Sequence, residues 1–204
     1  MNETTEKDTG RVEALSDGIF GVAITLLAIE LKTPVLKTIT NRSLVIALLQ
    51  NWPQYLTILN SFASILLMWV SHHNLFKIVR KASMPFIAVN GMLLLSVTLT
   101  IFSTKTLSEY IQTDAAKAAA AFYGFTCVLI SGSFCLLWYK AVKNKEDLVA
   151  NVSDETIRLH GISYFRGLSI YVIATGLAFV NAWFTVVIVT GSWIYWILSF
   201  KKTE

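Results

Sequence analysis

The chain has 204 residues, 54% of them hydrophobic and only 15% charged, with a formal net charge of +4. A water-soluble domain ordinarily has about a quarter of its residues charged, so this composition excludes water as the main solvent and points to lipid. The charges cluster between apolar blocks, which lets those blocks enter hydrocarbon without stranding ions there.

Six blocks follow one another: Val12–Leu31, Tyr55–Phe76, Met84–Phe102, Ala118–Tyr139, Tyr164–Val180 and Trp183–Phe200. Each is near the roughly 20 residues that an α-helix needs to cross hydrocarbon. The fold class expected is an all-α membrane protein with six transmembrane helices in a single unit spanning residues 1–204. The last two blocks are separated only by Asn181 and Ala182. One continuous helix there would run about 55 Å, far thicker than a bilayer, so a tight helical hairpin is predicted.

The first block follows an acidic tail with Glu3, Glu6 and Asp8, which does not match the basic start of a cleaved signal peptide. With both termini in the cytoplasm, the inner side holds Lys7, Arg11, Lys77, Arg80, Lys81, Lys140, Lys143, Lys145, Arg158, Arg166, Lys201 and Lys202. The outer side keeps Lys32, Lys37, Arg42, Lys105 and Lys117, and this asymmetry is the positive-inside pattern. The positive charge is thereby assigned to topology. Nucleic acid is not an expected partner, because there is no basic stripe with interleaved aromatics.

Polar groups within a span must be satisfied by protein, water or an ion, and the first block is the richest in them. Arg11 and Glu13 stand at its start, Ser16 and Asp17 a turn deeper, and Glu30 at its far end. Asp17 reads either as an interfacial acid favoured by the helix N-terminus or as part of a helix contact eased by Gly18 and Gly21. Val22, Thr25, Leu26 and Ile29 then recur at i, i+3, i+4 and i+7 on one stripe. Such a stripe faces core or lipid in most proteins. Lining a pore, it would make hydrophobic rings that gate by dewetting, with Thr25 offering oxygens to a partly dehydrated ion.

The second block ends Trp69-Val-Ser-His72-His73. Adjacent histidines lie about 100° apart on a helix, so one faces the bundle while the other faces headgroups, and they make a poor metal site. They read either as wet interfacial residues beside a belt tryptophan or as partners of Asp17 or Ser16 at the same depth. Asn90 in the third block and Asn60 in the second are read as amide bridges between helices. Trp138, Tyr139, Trp183, Trp193, Tyr195 and Trp196 read as interfacial anchors. Cys127 and Cys135 are eight residues apart on one helix, roughly 12 Å along its axis, too far for a disulfide.

The run from Arg11 through Ser16-Asp17-Gly18 to Glu30-Leu-Lys-Thr-Pro34 resembles the first-helix signature of the transmembrane protein 175 family, potassium channels of the endolysosomal type and their prokaryotic relatives. Trp69, His72-His73, Asn90, and Phe102-Ser-Thr104 before Glu109-Tyr110 add to the resemblance. It implies a potassium-permeable channel whose pore is lined by the first helix of each subunit. By that carry-over Val22, Leu26 and Ile29 match the hydrophobic constriction and Thr25 the threonine layer linked with selectivity, with permeant potassium near Thr25. Arg11, Ser16 and Asp17 match the cytoplasmic-side polar cluster, which a histidine of the second helix would join. A single six-helix unit implies a homotetramer, and one helix per subunit cannot enclose a pore without several copies. The sequence departs from the family's pattern at Leu15, usually phenylalanine, at Val22, often larger, and at Ile101, commonly proline. A carbonyl-lined Thr-Val-Gly-Tyr-Gly filter is absent.

The function expected is a passive, potassium-selective, homotetrameric channel in a prokaryotic cell membrane, needing no cofactor or structural metal, with potassium ions and the lipid bilayer as its partners. The alternative is a proton-coupled secondary cation transporter in which Asp17 and His73 exchange protons. An enzyme is not expected, since no nucleophile, metal cluster or phosphate loop stands in the sequence.

Overall fold

The computed structural model describes residues 9–143, 148 and 152–200. Lys7, Lys145, Lys201, Lys202 and the acids of the N-terminal tail lie outside the described residues. Among the described residues the chain forms seven α-helices: α1 (Gly10–Ile29), α2 (Asn41–Gln50), α3 (Trp52–Ile78), α4 (Met84–Tyr110), α5 (Ala116–Lys143), α6 (Asp154–Ala178) and α7 (Ala182–Phe200). Five of them, α1, α3, α4, α5 and α7, are long and apolar enough to cross a membrane, and the chain is a multi-pass membrane protein. The fifth block corresponds to α6, which is also long but starts with Asp154, Glu155 and Arg158 and carries Arg166 further along, so it falls outside that apolar group.

The additional helix is α2, which no apolar block anticipated. Its start is fixed by a reciprocal cap: the Ser43 amide donates to Thr40 Oγ1 at 3.1 Å and the Thr40 amide to Ser43 Oγ at 3.0 Å. None of its residues is buried. The long helices overrun the predicted blocks, mostly at polar ends, because propensity and capping continue a helix past the point where hydropathy falls. Pro53 and Pro85 sit in the first turns of α3 and α4, where a missing N–H costs no bond. The predicted hairpin between the last two helices is present. Asn181 Oδ1 accepts the Trp183 amide at 2.9 Å and so starts α7. The helix containing Ile101 runs unbroken from Met84 to Tyr110.

Successive long helices are antiparallel. Gln54 at the start of α3 reaches the Glu30 carbonyl at the end of α1, while Trp69 late in α3 reaches Asp17 early in α1. Ser163 of α6 likewise meets Ser199 at the end of α7. α3 packs against α1, α4 and α7, whereas α6 packs against α5 and α7 on the side of the bundle away from α1. Lipid tails are as apolar as leucine, so helix association here rests on close packing and interhelical hydrogen bonds. One close backbone approach is at Gly124 of α5, where a Cβ would stand 3.1 Å from the Thr175 Cα of α6. Gly18 and Gly21, by contrast, have no neighbour within 4 Å of such a Cβ inside the subunit, so they mediate no intrasubunit contact.

Trp138 and Trp196 are core residues, 5% and 9% exposed, and not interfacial anchors. Trp196 Nε1 donates to Tyr171 Oη at 2.9 Å, and Trp138 packs against His160, so each ring is held by a partner inside the bundle.

Candidate functional site

α1 has two unlike faces. Ser16, Phe20, Ala23 and Leu27 are buried against the rest of the subunit. Val22, Leu26 and Ile29 are 56%, 37% and 74% exposed, and Thr25 is exposed with them. The Thr25 hydroxyl donates within its own helix, toward the carbonyls of Val22 at 2.9 Å and Gly21 at 3.1 Å. That leaves its oxygen lone pairs directed away from the helix backbone. Alongside runs a groove of about 370 Å³ between α1 and α4, floored by Gly18, Val22 and Leu26 and walled by Thr98 and Ile101.

The buried face of α1 is pinned by two hydrogen-bonded chains near its start. In the first, Asn90 Nδ2 of α4 donates to Ser16 Oγ at 3.0 Å, and Asn90 Oδ1 pairs with His72 Nε2 of α3 at 3.0 Å. Ser16 Oγ in turn donates to the Val12 carbonyl at 2.8 Å. Ser16, His72 and Asn90 are all buried, and the imidazole is stacked on Phe76 and tilted against Phe20. In the second chain, Trp69 Nε1 donates to Asp17 Oδ1 at 2.8 Å, and the indole stacks on His73.

Of the two readings of the histidines, neither holds for His72, which is buried but bonded directly to neither Asp17 nor Ser16. The Asp17 carboxylate takes the indole N–H, and His72 reaches Ser16 only through the Asn90 amide. No hydrogen bond joins Asp17 to His73, the pair invoked for proton exchange in the transporter reading. Arg11 is exposed and has no side-chain hydrogen bond or ion pair among the described residues, so the structure does not bring it into either chain. The helical period accounts for this: six residues turn the helix by about 600°, which puts Arg11 and Asp17 on different faces. Asn60, read as an amide bridge, accepts from Thr190 Oγ1 of α7 at 3.3 Å.

The far end of α1 carries a second set of pins that sequence reasoning did not pair. Glu30 bonds Lys105 of α4 at 2.8 Å, and Lys32 pairs with Glu109 one turn further along α4. Gln54 Nε2 donates to the Glu30 carbonyl at 2.9 Å, capping the helix end. The signal lay in the four-residue spacing of Lys105 and Glu109, which puts opposite charges on one face of a helix.

The family model described as the endosomal/lysosomal potassium channel TMEM175 matches residues 11–100, which cover α1 from Arg11, α2, α3 and most of α4. A potassium channel of Chamaesiphon minutus is 39% identical over 181 residues, 89% of this chain and 89% of its own length. The chain belongs to the TMEM175 family. A potassium channel of Streptomyces collinus is 35% identical over 86% of this chain and 84% of its own. The crystal structure of a lysosomal potassium-selective TMEM175 homologue from Chamaesiphon minutus superposes with a TM-score of 0.83 at 38% identity, covering 93% of this chain and 96% of that one. TMEM175 is a family of channels, not of enzymes.

Proposed function

We propose that this protein is a potassium-selective channel, assembled as a homotetramer of six-span subunits, with α6 as the sixth span and α1 of each subunit lining the pore. The observation that carries this reading is the apolar stripe of α1, which its own subunit leaves uncovered while the opposite face is pinned at both ends. Facing copies of the stripe form stacked hydrophobic rings at Val22, Leu26 and Ile29. Such rings conduct when wet and close by dewetting. Thr25 adds a ring of hydroxyl oxygens between the apolar layers, where a potassium ion that has shed part of its water finds replacement ligands. Ser16, Asp17, Trp69, His72, His73 and Asn90 hold the base of the pore helix, and Arg11 provides positive charge at the pore entrance. The basic residues at the α1-start end make that end cytoplasmic, in a cell membrane. Conduction is passive and requires no cofactor.

The test is ion flux into liposomes containing the purified protein, under a potassium gradient, then with sodium as the sole cation, then under a proton gradient alone. Fast potassium flux that exceeds sodium flux and is linear in driving force supports the channel. Saturating, proton-coupled uptake refutes it in favour of the secondary transporter.

A further inference from the structure

We infer that the cleft between α6 and α7 around Arg166 is a binding site for the phosphate headgroup of an anionic phospholipid. Arg166 is exposed and has no ion pair or hydrogen bond among the described residues, although it lies well within a long helix of the bundle. An unpaired guanidinium at membrane level is costly unless it reaches the interface or meets an anion.

Its depth follows from the α6–α7 pairing. Ser163 Oγ lies 2.5 Å from Ser199 Oγ, and in the sequence Ser199 closes the last apolar block just before Lys201 and Lys202, so in the proposed topology Ser163 stands near the membrane boundary. Arg166 is three residues deeper, about 4.5 Å by helical rise, within snorkelling distance of headgroup phosphates. The cleft has a volume of about 340 Å³, and Ser163, Tyr195 and Ser199 line its polar end while Leu159, Ile162 and Leu198 line the rest. A guanidinium fork matches phosphate oxygens bidentately, and the apolar wall suits the first methylenes of an acyl chain. Among the described residues α6 packs chiefly against α5 and α7, on the side away from α1, which leaves the cleft on the outer side of the subunit. Arg158, eight residues earlier, does not line the cleft and is paired with Glu155 at 3.3 Å, which leaves Arg166 as the cation for the headgroup.

The experiment is native mass spectrometry of the full-length protein in detergent, titrated with phosphatidylglycerol, phosphatidylcholine or inorganic phosphate. Phosphatidylglycerol should bind about fivefold more tightly than phosphatidylcholine, the effect of one interfacial basic residue. Arg166→Gln should abolish that preference and Arg166→Lys should retain part of it, while Arg42→Gln at the opposite end of the bundle should leave it intact. A preference that survives Arg166→Gln, or no preference in the unaltered protein, overturns the proposal. So does inorganic phosphate displacing the lipid at equal concentration. If Arg166→Gln does not yield folded protein, Tyr195→Phe with Ser163→Ala carries the test through the polar end, and an unchanged preference there counts against the site. Binding is read without ion flux, so failure here leaves the channel reading intact, and failure of that reading leaves this one intact.

Discussion

Asn90 is the most informative residue to remove, because a single amide joins three helices. Asn90→Ala deletes its bonds to Ser16 Oγ and His72 Nε2, both 3.0 Å long. His72 is 1% exposed, so its Nε2 loses its partner with no water to replace it, at a cost of about 1–3 kcal/mol. Ser16 keeps its bond to the Val12 carbonyl, so losing the Asn90 contact costs only about 0.6 kcal/mol, the average for an interhelical bond in a membrane. The sum is roughly 1.6–3.6 kcal/mol. Trp69→Phe is the internal comparison: it removes the bond to Asp17, but that carboxylate is exposed and can be rehydrated, so about 0.5–1 kcal/mol is expected. The assay is unfolding in mixed micelles by titration with sodium dodecyl sulfate, followed by far-ultraviolet circular dichroism. In the Asn90→Ala background, Ser16→Ala should add almost nothing. If Asn90→Ala costs no more than Trp69→Phe, the buried bridge does not hold the three helices and the reasoning fails.

Gly167→Ala should cost about 1–3 kcal/mol in the same unfolding assay, because its Cβ would stand 2.5 Å from Trp196 Cζ2 and the indole cannot swing away without losing its bond to Tyr171. Gly176→Ala, with no atom within 4 Å, should fall within about 0.5 kcal/mol of the parent and serves as the control. Thr25→Val keeps the shape of the side chain and deletes its oxygen, so the reversal potential under mixed potassium and sodium should move toward the sodium value; an unchanged ratio removes Thr25 from the filter. Val22→Asn puts a polar ring in the proposed constriction and should raise basal current in planar bilayers, whereas unchanged current would mean that dewetting there does not limit conduction.

The long apolar helices were legible because hydropathy over about 20 residues is a strong signal, and the tight turn at Asn181 followed from the thickness of the bilayer. α2 was not legible: ten residues whose start depends on the reciprocal cap of Thr40 and Ser43 leave no periodic mark long enough to read. α6 was read as a shorter span because Asp154, Glu155 and Arg158 hid its first turns, which extend beyond the apolar run. At the candidate site, depth was legible and pairing was not. The expected topology put Ser16, Asp17 and a histidine of the second block near one level and left Asn90 as an unassigned bridge between helices, but the choice of partner is made by rotamer and helix rotation, and the sequence holds neither. The tryptophans show the same limit: Trp138 and Trp196 resemble belt residues by type and position, and only the placement of α6 against them decides that they are core.

The two sets of pins on α1 acquire a common purpose in the proposed channel. Near the start of the helix, Ser16 and Asp17 are held by Asn90 and Trp69; at its end, Glu30 is held by Lys105 and its carbonyl by Gln54. The stripe from Val22 to Ile29 lies between these anchors and touches neither. A hydrophobic constriction sets conductance by its width, since whether a pore wets depends steeply on its radius, and the side chains forming the rings have no bonds of their own to fix that radius. The backbone must therefore be fixed from behind. Each anchor reaches α3 or α4, so the ring radius becomes a property of the packed bundle instead of the mobile apolar side chains. Polar residues that never meet an ion would in this way determine how an ion passes. Each end combines two kinds of pin: near the start the buried Asn90–Ser16 bridge and the exposed Trp69–Asp17 bond, and at the far end the Gln54 bond to the Glu30 carbonyl and a partly exposed ion pair that salt and water screen.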